Sequence, residues 1–105
     1  AKISKNSMAK DIERKIWNTL VQVFQKVKTK EEVEILLNDL LTPSEKIMFS
    51  KRLAIAFLLS EGKTYAEISK TLKVSFATIT LVKNSKLRGG GGYRHLLEIL
   101  REQLD

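Results

Sequence analysis

The stretch from Gly62 to Asn84, GKTYAEISKTLKVSFATITLVKN, constrains this chain most, because helix starts, apolar stripes and a turn follow one another at short fixed spacings. Thr64-Tyr65-Ala66-Glu67 is a capping box, a hydroxyl at the N-cap with a carboxylate three residues on, which together satisfy amide donors at the start of a short helix. Ile68 and Leu72, four apart, form one apolar stripe on that helix. Lys73-Val74-Ser75 then predicts a tight turn, with Val74 turned inward and Ser75 capping a second helix. Ile79 and Val82 stripe the second helix three apart, and its opposite face carries Phe76, Ala77, Thr80, Lys83 and Asn84. The pair reads as a helix-turn-helix. An exposed face of small, hydroxylated, amide and cationic side chains suits a helix inserted in a major groove, where they reach base edges and phosphates. The competing reading is an ordinary pair of short surface helices.

One position departs from the common form of such a turn. The place held by Lys73 is often Gly, since a left-handed backbone costs a residue with a Cβ about 1–2 kcal/mol. Either the turn has another geometry here, or the packing of Val74 compensates.

Charge points to the same segment. The formal net charge is +7, and its distribution is uneven: residues 1–61 carry +3, residues 62–88 carry +5 and residues 89–105 carry −1. Positive density concentrated on the nominated helices predicts binding to polyanionic DNA that weakens steeply with salt. A solvated basic face with no partner is the bland alternative.

Along the rest of the chain the signals are helical. At 105 residues with 43% hydrophobic side chains, the chain has the length of one domain and enough apolar content to fold. Residues 1–8, AKISKNSM, show no strong pattern and residues 1–10 are read as a tail. From Asp11, the residues Ile12, Ile16, Leu20, Val23, Phe24 and Val27 follow helical spacing, with Trp17 beside them. Thr29 with Glu32 caps a second helix through Val33, Leu36, Leu37, Leu40 and Leu41. Thr42-Pro43-Ser44-Glu45 combines an N-cap hydroxyl, Pro at the first helical position and a capping-box carboxylate. The third helix that it opens runs to Gly62 and is apolar on most sides near residues 53–59. Such a helix must be covered by several neighbours, and in so short a chain a second copy is a source of some of them. Four consecutive glycines, 89–92, form a flexible connector to a last helix over 93–105 with Leu96, Leu97, Leu100 and Leu104 as its stripe.

Catalysis finds little support. His95 is the one histidine and sits on the leucine-rich last helix. There is no Cys, no His/Asp/Glu set at metal-ligand spacing, and the glycine run lacks the strand and Lys-Ser/Thr context of a phosphate loop. The expectation is a non-enzyme with no cofactor and no metal. No apolar run approaches the roughly 18–20 residues that span a bilayer, and no secretory signal pattern is seen, so the expected location is the cytoplasm, with no membrane partner.

Taken in order and spacing, several pieces resemble the Trp-repressor-like family of bacterial regulators, and within it the YerC/YecD-type branch. These are Leu41-Thr42-Pro43-Ser44-Glu45, Arg52, Glu61-Gly62-Lys63-Thr64-Tyr65, Ala77-Thr78-Ile79-Thr80, Val82-Lys83, the glycine segment ending in Tyr93 and the closing leucine helix. The resemblance spans about residues 12–104. It implies an all-α, six-helix Trp-repressor-like fold forming an intertwined homodimer, with 11–61 as dimerisation helices and 62–88 as the helix-turn-helix. It implies a sequence-specific regulator of transcription, a repressor, acting on double-stranded DNA. Family DNA contacts carry onto Phe76, Ala77, Thr78, Thr80 and Asn84. Lys70 and Lys83 join them from charge and position as phosphate contacts, and Tyr65, Ser75 and Lys86 complete the candidate DNA-binding set.

The resemblance also implies a possible effector pocket, onto which Leu41, Thr42, Arg52, Leu81 and Val82 map. The tryptophan repressor has a second arginine where Leu81 stands, and a glycine that leaves room for the ligand where Val82 stands. Losing a bidentate partner for a carboxylate removes what most favours an amino-acid ligand, so L-tryptophan is not the expected effector. Arg52 reads slightly better as a salt-bridging residue on the third helix than as an effector contact. The alternative to a DNA-binding regulator is a helical protein-interaction module whose basic face meets an acidic partner.

Overall fold

The computed structural model describes residues 5–89 and 91–104, and the side chains of all of these except Lys5, Asn6, Lys86, Leu87 and Arg88. The ordered elements are six α-helices: α1 (Lys5–Lys26), α2 (Lys30–Leu40), α3 (Pro43–Ser60), α4 (Tyr65–Leu72), α5 (Phe76–Arg88) and α6 (Gly92–Leu104). No strand occurs among the described residues, so the protein is all-α. The starts are set by hydroxyls. Thr29, Thr64 and Ser75 each take the backbone N–H three residues on, at 3.1, 3.2 and 3.1 Å. Pro43, whose missing N–H costs nothing at a first helical position, opens α3. Gly62 closes it at φ 80°, where its N–H reaches Leu59 O and that of Lys63 reaches Leu58 O, the paired bonds of a Schellman stop.

Two details differ from the sequence expectation. Residues 5–10, expected in the tail, belong to α1, which begins six residues before Asp11. Once a helix is nucleated, each further residue adds a hydrogen bond at little cost, so it extends upstream until something stops it, and Ser7-Met8-Ala9-Lys10 contains no breaker. The capping box at α4 also closes differently: the Thr64 hydroxyl donates to the Glu67 carboxylate, Oγ1 to Oε1 3.1 Å, so both side chains of the box are joined to each other.

The chain divides into two compact units, residues 1–42 and 43–105. In the first, none of the described side chains is buried. Ile12, Ile16, Trp17 and Val21 on α1 and Ile35, Leu37 and Leu40 on α2 stay open to solvent. On α1, Ile12 and Ile16, four apart, share one side, and Trp17 and Val21, four apart, share another. The second unit holds the core. Ile55 and Ala56 of α3, Ile68 of α4, Ile79 and Val82 of α5 and Leu97 of α6 form one buried cluster, walled by Phe57, Leu58, Leu59, Tyr65, Leu72, Val74 and Tyr93. At about 1.5–3 kcal/mol for each fully buried Ile, this cluster fixes α4 and α5 against α3. The leucine stripe of α6 supplies Leu97 to it, and Arg101 ties the same helix to the end of α3 through Glu61 (3.3 Å) and the Ser60 hydroxyl (3.4 Å).

Candidate nucleic-acid interface

The two helices of the motif owe their rigidity to what they bury. Ile68 of α4 and Ile79 of α5 are both wholly inaccessible, and Val82 one turn on is nearly so. With one stripe of α5 committed to the core, helical geometry sends residues offset by roughly half a turn outward. Ala77, Thr80 and Asn84, at i, i+3 and i+7, share that outward face, with Lys83 on its flank, and all four are exposed. A second contact sets the angle between the helices. Tyr65 at the start of α4 and Phe76 at the start of α5 meet edge to face, centroids 5.6 Å apart and planes at 80°, a geometry worth about 0.5–1.5 kcal/mol beyond its buried area.

The turn keeps the left-handed geometry in spite of its side chain. Lys73 has φ 57° and ψ 54°, and it is the one residue other than glycine with positive φ among those described. The strain is retained, about 1–2 kcal/mol. What holds it is a knot around Ser69. The N–H groups of Lys73 and Val74 both reach Ser69 O, and the Ser69 hydroxyl donates to Val74 O at 2.7 Å. Val74 itself packs against the core. Ser69 is the residue that sequence reading missed; a Ser one turn before a helix end, with a left-handed residue to follow, is the signal that points to it.

The predicted DNA-binding residues fall into groups. Phe76, Ala77, Thr78, Thr80, Lys83, Asn84 and Lys70 are exposed, Phe76 while also braced by Tyr65, which is half-buried. Ser75 and Thr78 are tied to the start of α5: beyond the cap, their two hydroxyls are hydrogen-bonded at 2.9 Å. The side chain of Lys86 lies outside the described residues.

The predicted effector residues belong to both units. Leu41, the extended C-cap of α2, and Thr42 belong to the first unit, whereas Arg52, Leu81 and Val82 belong to the second. Val82 is a core residue. Leu81, next to it in sequence, points the other way and is 67% exposed, one turn from Ala77 and close to Asn84 on the outward face of α5. These two side chains thus do not act as a pair. Arg52 is exposed and, against the expectation of a salt bridge, has no ion-pair partner among the described residues. An open cavity of about 310 Å³ lies beside it, lined by Met48, Lys51, Arg52, Lys73, Val74, Ser75 and Thr78. The described residues include no group of His, Asp and Glu able to hold a metal, and no helix long and apolar enough to cross a membrane.

Comparison with known proteins supplies the family. The Trp repressor protein family matches residues 15–101. A crystal structure described as that of a candidate Trp repressor from Staphylococcus aureus superposes with a TM-score of 0.70 at 30% identity, over 82% of this chain and 86% of that one. A TrpR-like protein from Eubacterium eligens gives a TM-score of 0.69 at 31% identity, over 79% of this chain and 86% of the other. No curated protein matches the chain. With the family match extending from α1 into α6 and carrying the helix-turn-helix within it, this chain belongs to the Trp repressor family of DNA-binding transcription regulators.

Proposed function

We propose that this protein is a homodimeric, sequence-specific DNA-binding repressor of transcription that works in the cytoplasm without catalysis and without L-tryptophan. The observation that carries the reading is the outward face of α5, where Ala77, Thr80 and Asn84 are exposed while Ile79 and Val82 anchor the helix from behind. Thr80 and Asn84 supply hydroxyl and amide groups that pair with base edges, and Ala77 and Leu81 supply apolar surface for thymine methyls. Lys83 on the flank of this face and Lys70, exposed on α4, are read as phosphate contacts, in the segment that carries most of the net positive charge. A selection of duplexes from a random pool, followed by titration of the winner against its scrambled version at fixed salt, tests it. A preference of 1000-fold order supports base reading, as specific regulators show about 10³–10⁷. Equal affinity for both would leave only a basic module suited to an acidic protein partner.

The dimer is argued from unburied apolar surface. The first unit leaves Ile12, Ile16, Trp17, Ile35 and Leu40 at least half exposed. On the second, Leu53, Ala54, Leu96, Ile99 and Leu100 line a largely apolar groove of about 630 Å³. Apolar helix faces of this extent need cover, and a symmetric second copy brings the matching faces at no cost in new sequence. Against tryptophan as effector stands the chemistry of Leu81, which offers no donor to a carboxylate.

A further inference from the structure

We propose that Lys51, Arg52 and Lys73 form a cradle for one backbone phosphate of the bound DNA, a contact outside the two motif helices. The assignment rests on the DNA-binding reading above and extends its footprint onto α3. The three cations line the same cavity of about 310 Å³, walled on its other side by Val74, Ser75 and Thr78. None of the three has an ion-pair partner among the described residues, although Lys51 is half-buried. Three cationic side chains without a paired carboxylate border one small space, and a phosphate oxyanion entering it would find donors on all three. The cavity abuts the first turn of the reading helix, so an anion held there sits next to the place where α5 meets the duplex.

The identity of residue 73 supports the same conclusion. Glycine takes φ 57° without strain, yet a lysine occupies the position and its side chain is exposed at the cavity. No hydrogen bond or ion pair of that side chain within the described residues accounts for keeping it. Contact with an external anion does account for it, and this predicts an opposition between folding and binding at one residue.

The test uses the full chain and a 20-bp mixed-sequence duplex, since a phosphate contact is independent of sequence. Lys73→Gly is expected to raise the melting temperature at fixed protein concentration by about 4–8 °C, through relief of the left-handed strain. It is also expected to weaken duplex binding about eightfold at 0.1 M salt and to flatten the plot of log K against log salt by about 0.9, the signature of one lost phosphate. Lys73→Asn, which tolerates the same φ without the charge, should show the same loss, and Lys51→Gln a loss in the same direction. Unchanged affinity and slope in these variants, with the wild type still binding the duplex, would overturn the cradle while leaving the DNA reading intact. A wild type that binds no duplex would remove the DNA reading and the cradle with it. Titration of inorganic phosphate followed by amide shifts at Ser75 and Thr78 separates the other source: millimolar binding lost in Lys73→Gly, with DNA affinity unchanged, would assign the cavity to a free phosphate ligand and overturn the proposal.

Discussion

Replacing Ile16 by Lys separates a chain that dimerises through its N-terminal helices from one that folds alone. Ile16 lies on the open face of α1 and is 64% exposed. Full burial of an Ile is worth about 1.5–3 kcal/mol, so covering the remaining two-thirds would contribute about 1–2 kcal/mol. In a twofold dimer each substitution acts twice, giving about 2–4 kcal/mol, or a dimer dissociation constant raised roughly 30- to 1000-fold. The ammonium group adds a desolvation penalty, which makes this a lower bound. Sedimentation equilibrium over a wide concentration range reads the change directly, with the wild type at twice the 12.0 kDa chain mass. Trp17, the single tryptophan and 65% exposed in the isolated chain, gives an independent readout: its emission should shift to the red when the dimer is lost. A wild type that sediments as a 12.0 kDa monomer and still melts cooperatively would refute the reasoning, as would an Ile16→Lys variant with unchanged mass and emission.

Other perturbations test the reading head. Thr80→Ala and Asn84→Ala should each cost about 1–3 kcal/mol at the selected site in titrations by anisotropy, with little effect on random duplex. Lys83→Ala should instead weaken both and flatten the salt slope by about one unit. Ile79→Ala, at a wholly buried position shared by α3, α4 and α5, should lower stability by about 2–5 kcal/mol in denaturant melts. L-tryptophan at millimolar concentration should give no heat in calorimetry and should leave operator affinity unchanged; a tenfold gain, about 1.4 kcal/mol, would restore a corepressor role.

What was legible in the sequence was whatever is decided within a turn or two of chain. Thr29, Thr64 and Ser75 cap as their spacing predicts, because an N-cap bond reaches only three residues. Ile68, Ile79 and Val82 are buried as their stripes predict, since the helical period fixes which residues share a face. The start of α1 lies upstream of the expected one because propagation needs no signal of its own, only the absence of a stop. Leu81 is a different case: the resemblance places it with Val82 at one pocket, whereas with Ile79 and Val82 against the core the helical period turns Leu81 outward. Lys73 shows a third kind of limit. The turn was readable, but its tolerance of a side chain rests on the Ser69 hydroxyl and Val74 carbonyl, five residues apart and joined only once the turn exists.

Among the described residues, the exposed surface of α1 and α2 and that of the motif differ in chemistry, and the difference bears on how they would be used. The exposed sides of α1 and α2 carry Ile, Leu, Val and Trp, whereas the outward side of α5 carries Thr80, Lys83 and Asn84 and α4 exposes Lys70. Pairing two motif faces with each other would bury like charges without partners, at a cost that apolar contact could not offset. In the proposed dimer the apolar faces would therefore form the contact, and the cationic faces of both copies would remain available to DNA. A reading helix of 13 residues is about 20 Å long and can engage one stretch of major groove. Two such heads related by a twofold axis meet half-sites about 34–36 Å apart, and the second engagement becomes intramolecular. The consequence is that Ile16→Lys, far from any DNA contact in sequence and leaving Ile68, Ile79 and Val82 untouched, should reduce operator binding nearly as much as removal of the base-reading side chains. Mixing it with wild-type chains at high concentration should restore binding only to the extent that dimers re-form.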